Sequence, residues 1–280
     1  MQPASETQAE SYDAVMVGAS FAGLSFASVA AARGLRVLVL ERDATVGGVV
    51  RTTGVLFSDV LDITDVPAPY LMNAMRRISI RLADAAPVEI SASAFRFYMA
   101  DVPGMLAWMA QAAQDRGAIV RCDAPFLDAR RDADGWMSIT YRAPEPNDGQ
   151  AGGGPISHAT ARARIVIGAD GARSLVAQRM GLDQNQRFLA GAEWLVENVA
   201  LDGETFYLVM DHALAPGYRV WLAPHRDVVA LGVAGHMRAF KPAETLASAP
   251  ALFRDVADFS RMRVRERKAS VIPVGGRLRR

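Results

Sequence analysis

The sequence predicts an α/β protein in two parts: a parallel-sheet domain built on a βαβ unit, and a second, mainly β domain. Three observations predict it. Residues 12–41 run from an apolar strand through a glycine turn and a helix of small residues to a second apolar strand that ends on an acid. A third apolar run, Arg164 to Ile167, ends in Gly168-Ala169-Asp170-Gly171-Ala172-Arg173-Ser174, with a helical segment after it. Residues 184–275 read as mainly β.

The first strand is Tyr12-Asp13-Ala14-Val15-Met16-Val17, and the turn that ends it is Gly18-Ala19-Ser20-Phe21-Ala22-Gly23. Ala22 to Arg33 reads as a helix stopped by Gly34, and Leu35 to Leu40 as the second buried strand, ending at Glu41. This order is the context that a dinucleotide-binding fingerprint requires. Gly18 permits the tight turn. Position 20 must be small so that the backbone can approach a pyrophosphate. Gly23 lets the helix pack close to the strand. The helix N-terminus offers free N–H groups and the positive end of its dipole to the phosphates. Glu41 lies at about the expected 20-residue offset, where a carboxylate accepts from ribose hydroxyls. Ser20 stands where the motif has its second glycine; it is still small, and its hydroxyl is able to donate to a phosphate. Ala19, Ala22 and Arg42 complete the candidate nucleotide contacts.

Composition narrows the function classes. The chain has 280 residues, 51% hydrophobic and 22% charged, enough for one large domain or two small ones. A formal net charge of +1 gives no electrostatic case for nucleic acid. The one basic cluster, Arg261 to Lys268, contains Glu266 and reads as a solvated face or loop. A single cysteine, Cys122, rules out a disulfide framework, a CxxC redox pair and a cysteine-based metal site within one chain. Cys122 reads as a buried structural thiol. The four histidines have neither HExxH nor HxH spacing, so no metal is expected. Residues 1–11 read as a disordered, polar and acidic tail without the features of a secretory signal. No apolar run approaches the roughly 18 residues that span a bilayer. The expectation is a soluble cytoplasmic protein, with nothing to support attachment to a membrane surface.

The fingerprint by itself leaves FAD and NAD open. The segment Gly168 to Ser174 resembles the Asp-Gly motif of the p-hydroxybenzoate hydroxylase-like flavoproteins. The two motifs together make the chain resemble FAD-dependent oxidoreductases of the geranylgeranyl reductase and aromatic hydroxylase group. The resemblance implies FAD as cofactor, with Asp170 accepting from a ribityl or ribose hydroxyl and Gly171 allowing close backbone approach. It implies a flavin phosphate or ribityl contact at Arg51, after Gly47-Gly48-Val49-Val50. It also implies a Rossmann-like FAD-binding domain of the glutathione reductase type, with a β-meander, over 12–70 and 95–183. A β-rich substrate domain is then expected over 71–94 and 184–275.

Asp101 to Arg116 reads as a helix with Met105, Trp108, Met109 and Ala112 as its apolar core stripe. The arginine that often precedes this helix in the hydroxylases is replaced by Asp101-Val102-Pro103. Ala118–Arg121, Phe126–Arg131 and Trp136–Arg142 read as the three strands of the meander, with Asp134-Gly135 as a hairpin turn. Residues 143–155, APEPNDGQAGGGP, read as a flexible connection. Ala215 to Pro224 is similar to the aromatic YxWxFP stretch of geranylgeranyl reductases, which makes Tyr218 and Trp221 substrate-cavity candidates or, equally, a packed aromatic pair. The chain ends at IPVGGRLRR, close to where the family places a third, glycine–aspartate FAD motif. The expectation is therefore the first two-thirds of such an oxidoreductase, with an incomplete flavin site. The substrate is expected to be a small apolar molecule, and NAD(P)H a transient electron donor. Catalytic residues are not assigned. The Tyr218–Pro224 stretch favours alkene reduction of the geranylgeranyl reductase type, with hydroxylation as the alternative, beside a non-catalytic FAD-binding remnant.

Overall fold

The computed structural model describes residues 10–82, 85–91, 96–144, 156–276 and 278. The chain divides into two units: Met1–Val49 with Pro103–Gln184 and Arg277–Arg280, and Val50–Val102 with Asn185–Gly276. The first unit opens with β1 (Glu10–Val17), α1 (Phe21–Ala31) and β2 (Val37–Leu40). The second takes β3 (Val55–Phe57), β4 (Leu71–Met75), β5 (Arg77–Leu82), β6 (Val88–Ser91) and β7 (Phe97–Ala100). The chain returns through α2 (Val102–Asp115) to β8 (Ile119–Arg121), β9 (Phe126–Arg131), β10 (Met137–Pro144), β11 (Ile156–Gly168) and α3 (Leu175–Arg179). The second unit then adds β12 (Arg187–Glu197), β13 (Thr205–Met210), β14 (Arg219–His225), β15 (Val228–His236), α4 (Pro242–Ser248) and β16 (Arg263–Val274).

The first unit is a six-stranded sheet in the order β8-β2-β1-β11-β10-β9. Its first four strands are parallel. β10 and β9 extend it antiparallel. β1 and β2 are apolar without alternation because both faces are covered. Val15 and Leu38 pack into one core with Ile139 and Tyr141. Met16 and Val39 face the opposite core with Leu24 and Ala27 of α1 and Ala113 of α2. The small residues of α1 let that helix lie close against the strands.

Several expectations need correction here. The strands over 118–142 do not form one meander. β8 is only three residues long and joins the parallel sheet beyond β2, tied by Glu41 N–H to Arg121 O at 2.8 Å and Ala124 N–H to Glu41 O at 2.8 Å. Asp123, at φ +50°, then turns the chain away. The antiparallel run is β9–β10–β11. Second, Glu10 and Ser11 are not tail but the start of β1, held by pairing with Ala161 and Arg162; residues 1–9 lie outside the described residues. Of the predicted loop 143–155, Ala143 and Pro144 end β10, and 145–155 lie outside the described residues. Third, Trp108 and Ala112 are only half-buried, and the buried positions of α2 include Met105, Ala110 and Ala113.

The second unit holds a seven-stranded sheet, β16-β12-β15-β14-β13-β5-β6, and a three-stranded one, β3-β7-β4. The pairing is antiparallel except between β13 and β5. The chain enters this unit at Val50 rather than after residue 70, and leaves at Val102 rather than before 95. The reason is strand pairing: β7 sits between β3 and β4, with Val55 opposite Met99 and Met75 opposite Phe97. From Arg263 on, the basic cluster falls on β16, an edge strand. Arg265 there lies 3.4 Å from Asp227, and Arg263 pairs with Glu197. Lys268 departs from the solvated-face expectation: its side chain is 14% exposed.

Candidate functional site

In the first unit, the parallel pairing of β1 and β11 sets Val17 beside Gly168, and Ala169 N–H donates to Val17 O at 2.8 Å. The turns after the two strands therefore leave the same end of the sheet together. That carboxyl-end edge is where open parallel sheets bind ligands. Gly18 has φ +102°, and a Cβ there would meet the Ala169 carbonyl carbon at 2.8 Å. The glycine is thus required both by its own backbone and by the neighbouring motif.

Ser20 is the N-cap of α1, its Oγ accepting from Gly23 N–H at 3.3 Å. Its hydroxyl proton remains available to a ligand at the helix N-terminus. Phe21 and Ala22 begin that helix, with Ala22 exposed. Glu41, just past β2, accepts from Ala19 N–H at 2.8 Å and from Asp43 N–H at 3.0 Å. The acid thereby fixes the glycine turn. A carboxylate has about four acceptor positions, so it keeps capacity for ribose hydroxyls. Arg42 is exposed and lies 3.7 Å from Asp43. Asp170 Oδ2 accepts from Leu175 N–H at 2.7 Å and Val176 N–H at 3.1 Å, capping α3. Its Oδ1 is buried with no hydrogen-bond partner. Gly171 follows at φ +90° with open space on its outer side. A buried orphan acceptor is costly unless a ligand supplies a donor. Orphan acceptor, capped helix N-terminus and close-approach glycine together fit a dinucleotide such as FAD.

Cys122, expected to be buried, is half-buried, and the burial it has pushes its thiol up. Among the described residues, no cluster of His, Cys, Asp and Glu is arranged to hold a metal ion. No helix there is long and apolar enough to cross a membrane.

Arg51, Tyr218 and Trp221 all lie in the second unit, around a cavity of about 540 Å³. Phe97, Phe206, Leu208 and Ile272 supply much of its apolar wall. Tyr218 stacks under the Arg219 guanidinium, 4.5 Å from its ring centre. Trp221 Nε1 donates to Glu193 Oε2 at 3.0 Å. The two aromatics are therefore not simply a mutually packed pair. The sheet register explains the second contact. Lys268, Glu193, Gly232 and Trp221 stand opposite one another on β16, β12, β15 and β14. Gly232 has no side chain, and a Cβ there would overlap the indole. The ring lies across the glycine and reaches the carboxyl on the far strand. Glu193 and Lys268 were missed in the sequence. The available signals were an acid inside the apolar run FLAGAEWLV and an isolated glycine inside another strand, which marks close approach.

Residues 11–232 match the family model described as an FAD binding domain. The chain belongs to this family of FAD-dependent oxidoreductases and monooxygenases, and its cofactor is FAD. It is 30% identical over 249 residues to a 3-(3-hydroxy-phenyl)propionate/3-hydroxycinnamic acid hydroxylase of Mycobacterium avium, covering 82% of this chain and 39% of that protein. It is 25% identical over 230 residues to a digeranylgeranylglycerophospholipid reductase of Methanothermobacter thermautotrophicus, covering 79% and 57%. The chain thus spans roughly two-fifths to three-fifths of these relatives' length. Among solved structures, a geranylgeranyl bacteriochlorophyll reductase-like protein of Thermoplasma acidophilum aligns with TM-score 0.82 at 19% identity, covering 95% of this chain and 67% of that one. That likeness establishes the shared fold.

Proposed function

We propose that this chain serves an FAD-dependent oxidoreductase whose substrate is a small apolar molecule, and that its reaction is reduction of an isoprenoid-like double bond. The observation that carries the reading is the cavity of about 540 Å³ in the second unit, with its largely aromatic and aliphatic wall. That volume is in the range of small-molecule sites. The likeness of residues 215–224 to the reductase stretch supports it, as do the reductases among the relatives. FAD, when bound, supplies the hydride for a reduction or the activated oxygen for a hydroxylation.

The protein's own residues bind, orient and exclude water. The N-terminus of α1 and the Gly18–Gly23 turn hold the pyrophosphate, and Glu41 accepts from the adenosine ribose. Arg42 adds a cation beside it. Asp170 Oδ1 accepts from a ribityl or ribose hydroxyl beside Gly171. Arg51 gives a further phosphate or ribityl contact. Tyr218 and Trp221 wall the substrate cavity. NAD(P)H is the transient electron donor.

Hydroxylation is the second reading, supported by the 30% identity to a hydroxylase. One experiment separates the two. The purified chain is loaded with FAD, checked for flavin bands near about 370 and 450 nm, reduced, and given a polyprenyl substrate with and without air. A product with one double bond fewer supports reduction, and a product with an added oxygen supports hydroxylation. Bound FAD with neither product, on aromatic as well as polyprenyl substrates, would leave a non-catalytic FAD-binding chain.

A further inference from the structure

The cavity of the second unit has a mainly apolar wall, which Arg51, Thr52, Thr53, Arg219 and Ser270 also line. The cross-strand row brings Glu193 and Lys268 to that wall. Their side chains are 6% and 14% exposed. Lys268 Nζ lies 3.8 Å from Glu193 Oε1 and 4.0 Å from Glu266 Oε1, both beyond hydrogen-bond length. Glu193 Oε2 is occupied by the Trp221 indole, whereas Oε1 is buried and makes no hydrogen bond of normal geometry, with the Thr53 hydroxyl beside the carboxyl. The wall thus presents an ammonium with unused donors beside a carboxyl oxygen with an unused site. Leaving such groups unsatisfied where both side chains are largely buried is costly.

We propose that Glu193 and Lys268 bind the hydroxyl group of an otherwise apolar substrate, an alcohol or a phenol. A hydroxyl is the simple group that answers both partners. Its oxygen accepts from Lys268, and its proton is donated to Glu193 Oε1. If Glu193 is protonated, the same oxygen accepts from it instead. A carboxylate would satisfy Lys268 but would bring a second negative charge against Glu193. An ammonium would repel Lys268. Trp221 is a positioning residue: its Nε1–H holds Glu193 from the far side, across Gly232. The inference rests on the proposed apolar-substrate reading and narrows it.

The test uses three probes with one ring system: naphthalene, 2-naphthol and 2-naphthoate. Binding to the full chain is measured by calorimetry. The expected result is about tenfold tighter binding of 2-naphthol than of naphthalene, the worth of roughly one added hydrogen bond. 2-Naphthoate should bind no tighter than 2-naphthol. Lys268→Met leaves a buried acid behind and risks misfolding, so Lys268→Met/Glu193→Gln is made as well. In the folded variants the preference for 2-naphthol should vanish while naphthalene affinity holds. Lys268→Arg should retain the preference. Equal binding of naphthalene and 2-naphthol, tightest binding of 2-naphthoate, or a preference that survives the double variant would each overturn the hydroxyl site alone. Failure of all three probes to bind would remove the apolar cavity reading and this inference with it.

Discussion

Glu41 shows how one side chain serves both fold and ligand. The sequence assigns it to a ribose, and the structure adds hydrogen bonds from Ala19 and Asp43 N–H. Glu41→Ala should therefore weaken FAD binding by about 1–3 kcal/mol and also loosen the glycine turn. A flavin fluorescence titration measures the first effect, and amide exchange at Ala19 the second. Glu41→Gln, which keeps one acceptor oxygen, should lose less; equal loss in both variants would mean that charge rather than geometry matters. Gly18→Val carries a different cost. The backbone at φ +102° disfavours a β-branched residue, and its Cβ would press on Ala169. Strain alone should destabilise the first unit by about 1–3 kcal/mol, read as a lower denaturation midpoint with or without FAD. Asp170 combines the same two duties, since one oxygen caps α3 and the other is an orphan.

The same logic holds for elements. β15 is apolar over Val228–Ala234 and folds into the centre of its sheet, yet Gly232 interrupts it. A glycine inside a strand weakens it unless something occupies the space, and here the Trp221 indole does. Gly232→Val should destabilise the second unit by about 1–3 kcal/mol through overpacking. It should also break the Trp221–Glu193 hydrogen bond, seen as a changed tryptophan emission. A variant as stable as the wild type with unchanged emission would contradict the packing. The element scale is also where sequence reading went astray. β8 has strand chemistry like that of its two followers, so composition grouped all three. Its partner, β2, lies some 80 residues earlier in the chain, and nothing local in a three-residue strand names a distant partner. β3 and β7 were assigned to the wrong domain for the same reason.

At the scale of the whole molecule, stability should depend on pH through Glu193. Burial raises its carboxyl above the ordinary value of 4.5, opposed by the neighbouring Thr53 hydroxyl, the charge of Lys268 and the Trp221 hydrogen bond, and assisted by Glu266. A raised acid stabilises the fold fully below the unfolded pKa, and that contribution is lost as pH rises through the folded value. Glutamine does not ionise. Glu193→Gln should therefore gain in Tm relative to the wild type as pH rises above the ordinary carboxyl value of 4.5, and a difference that stays constant as pH rises would contradict the assignment. FAD should raise the Tm of the wild type, by an amount corresponding to about 2.7 kcal/mol at a hundred times Kd.

The sequence by itself determined the nucleotide-binding βαβ unit, the acid at its second strand, the Asp-Gly motif, and through these the FAD family. Those features are local: spacing within about 30 residues, apolar strands, small residues and glycines at turns, each fixed by backbone geometry. Only the tertiary structure decided that β1 and β11 bring the two motifs to one sheet end, that β8 extends the parallel sheet, and that Lys268, Glu193, Gly232 and Trp221 form a single row. These depend on the register between strands tens of residues apart. A side chain's face and its cross-strand neighbours are set by that register, and it is not written in any one segment.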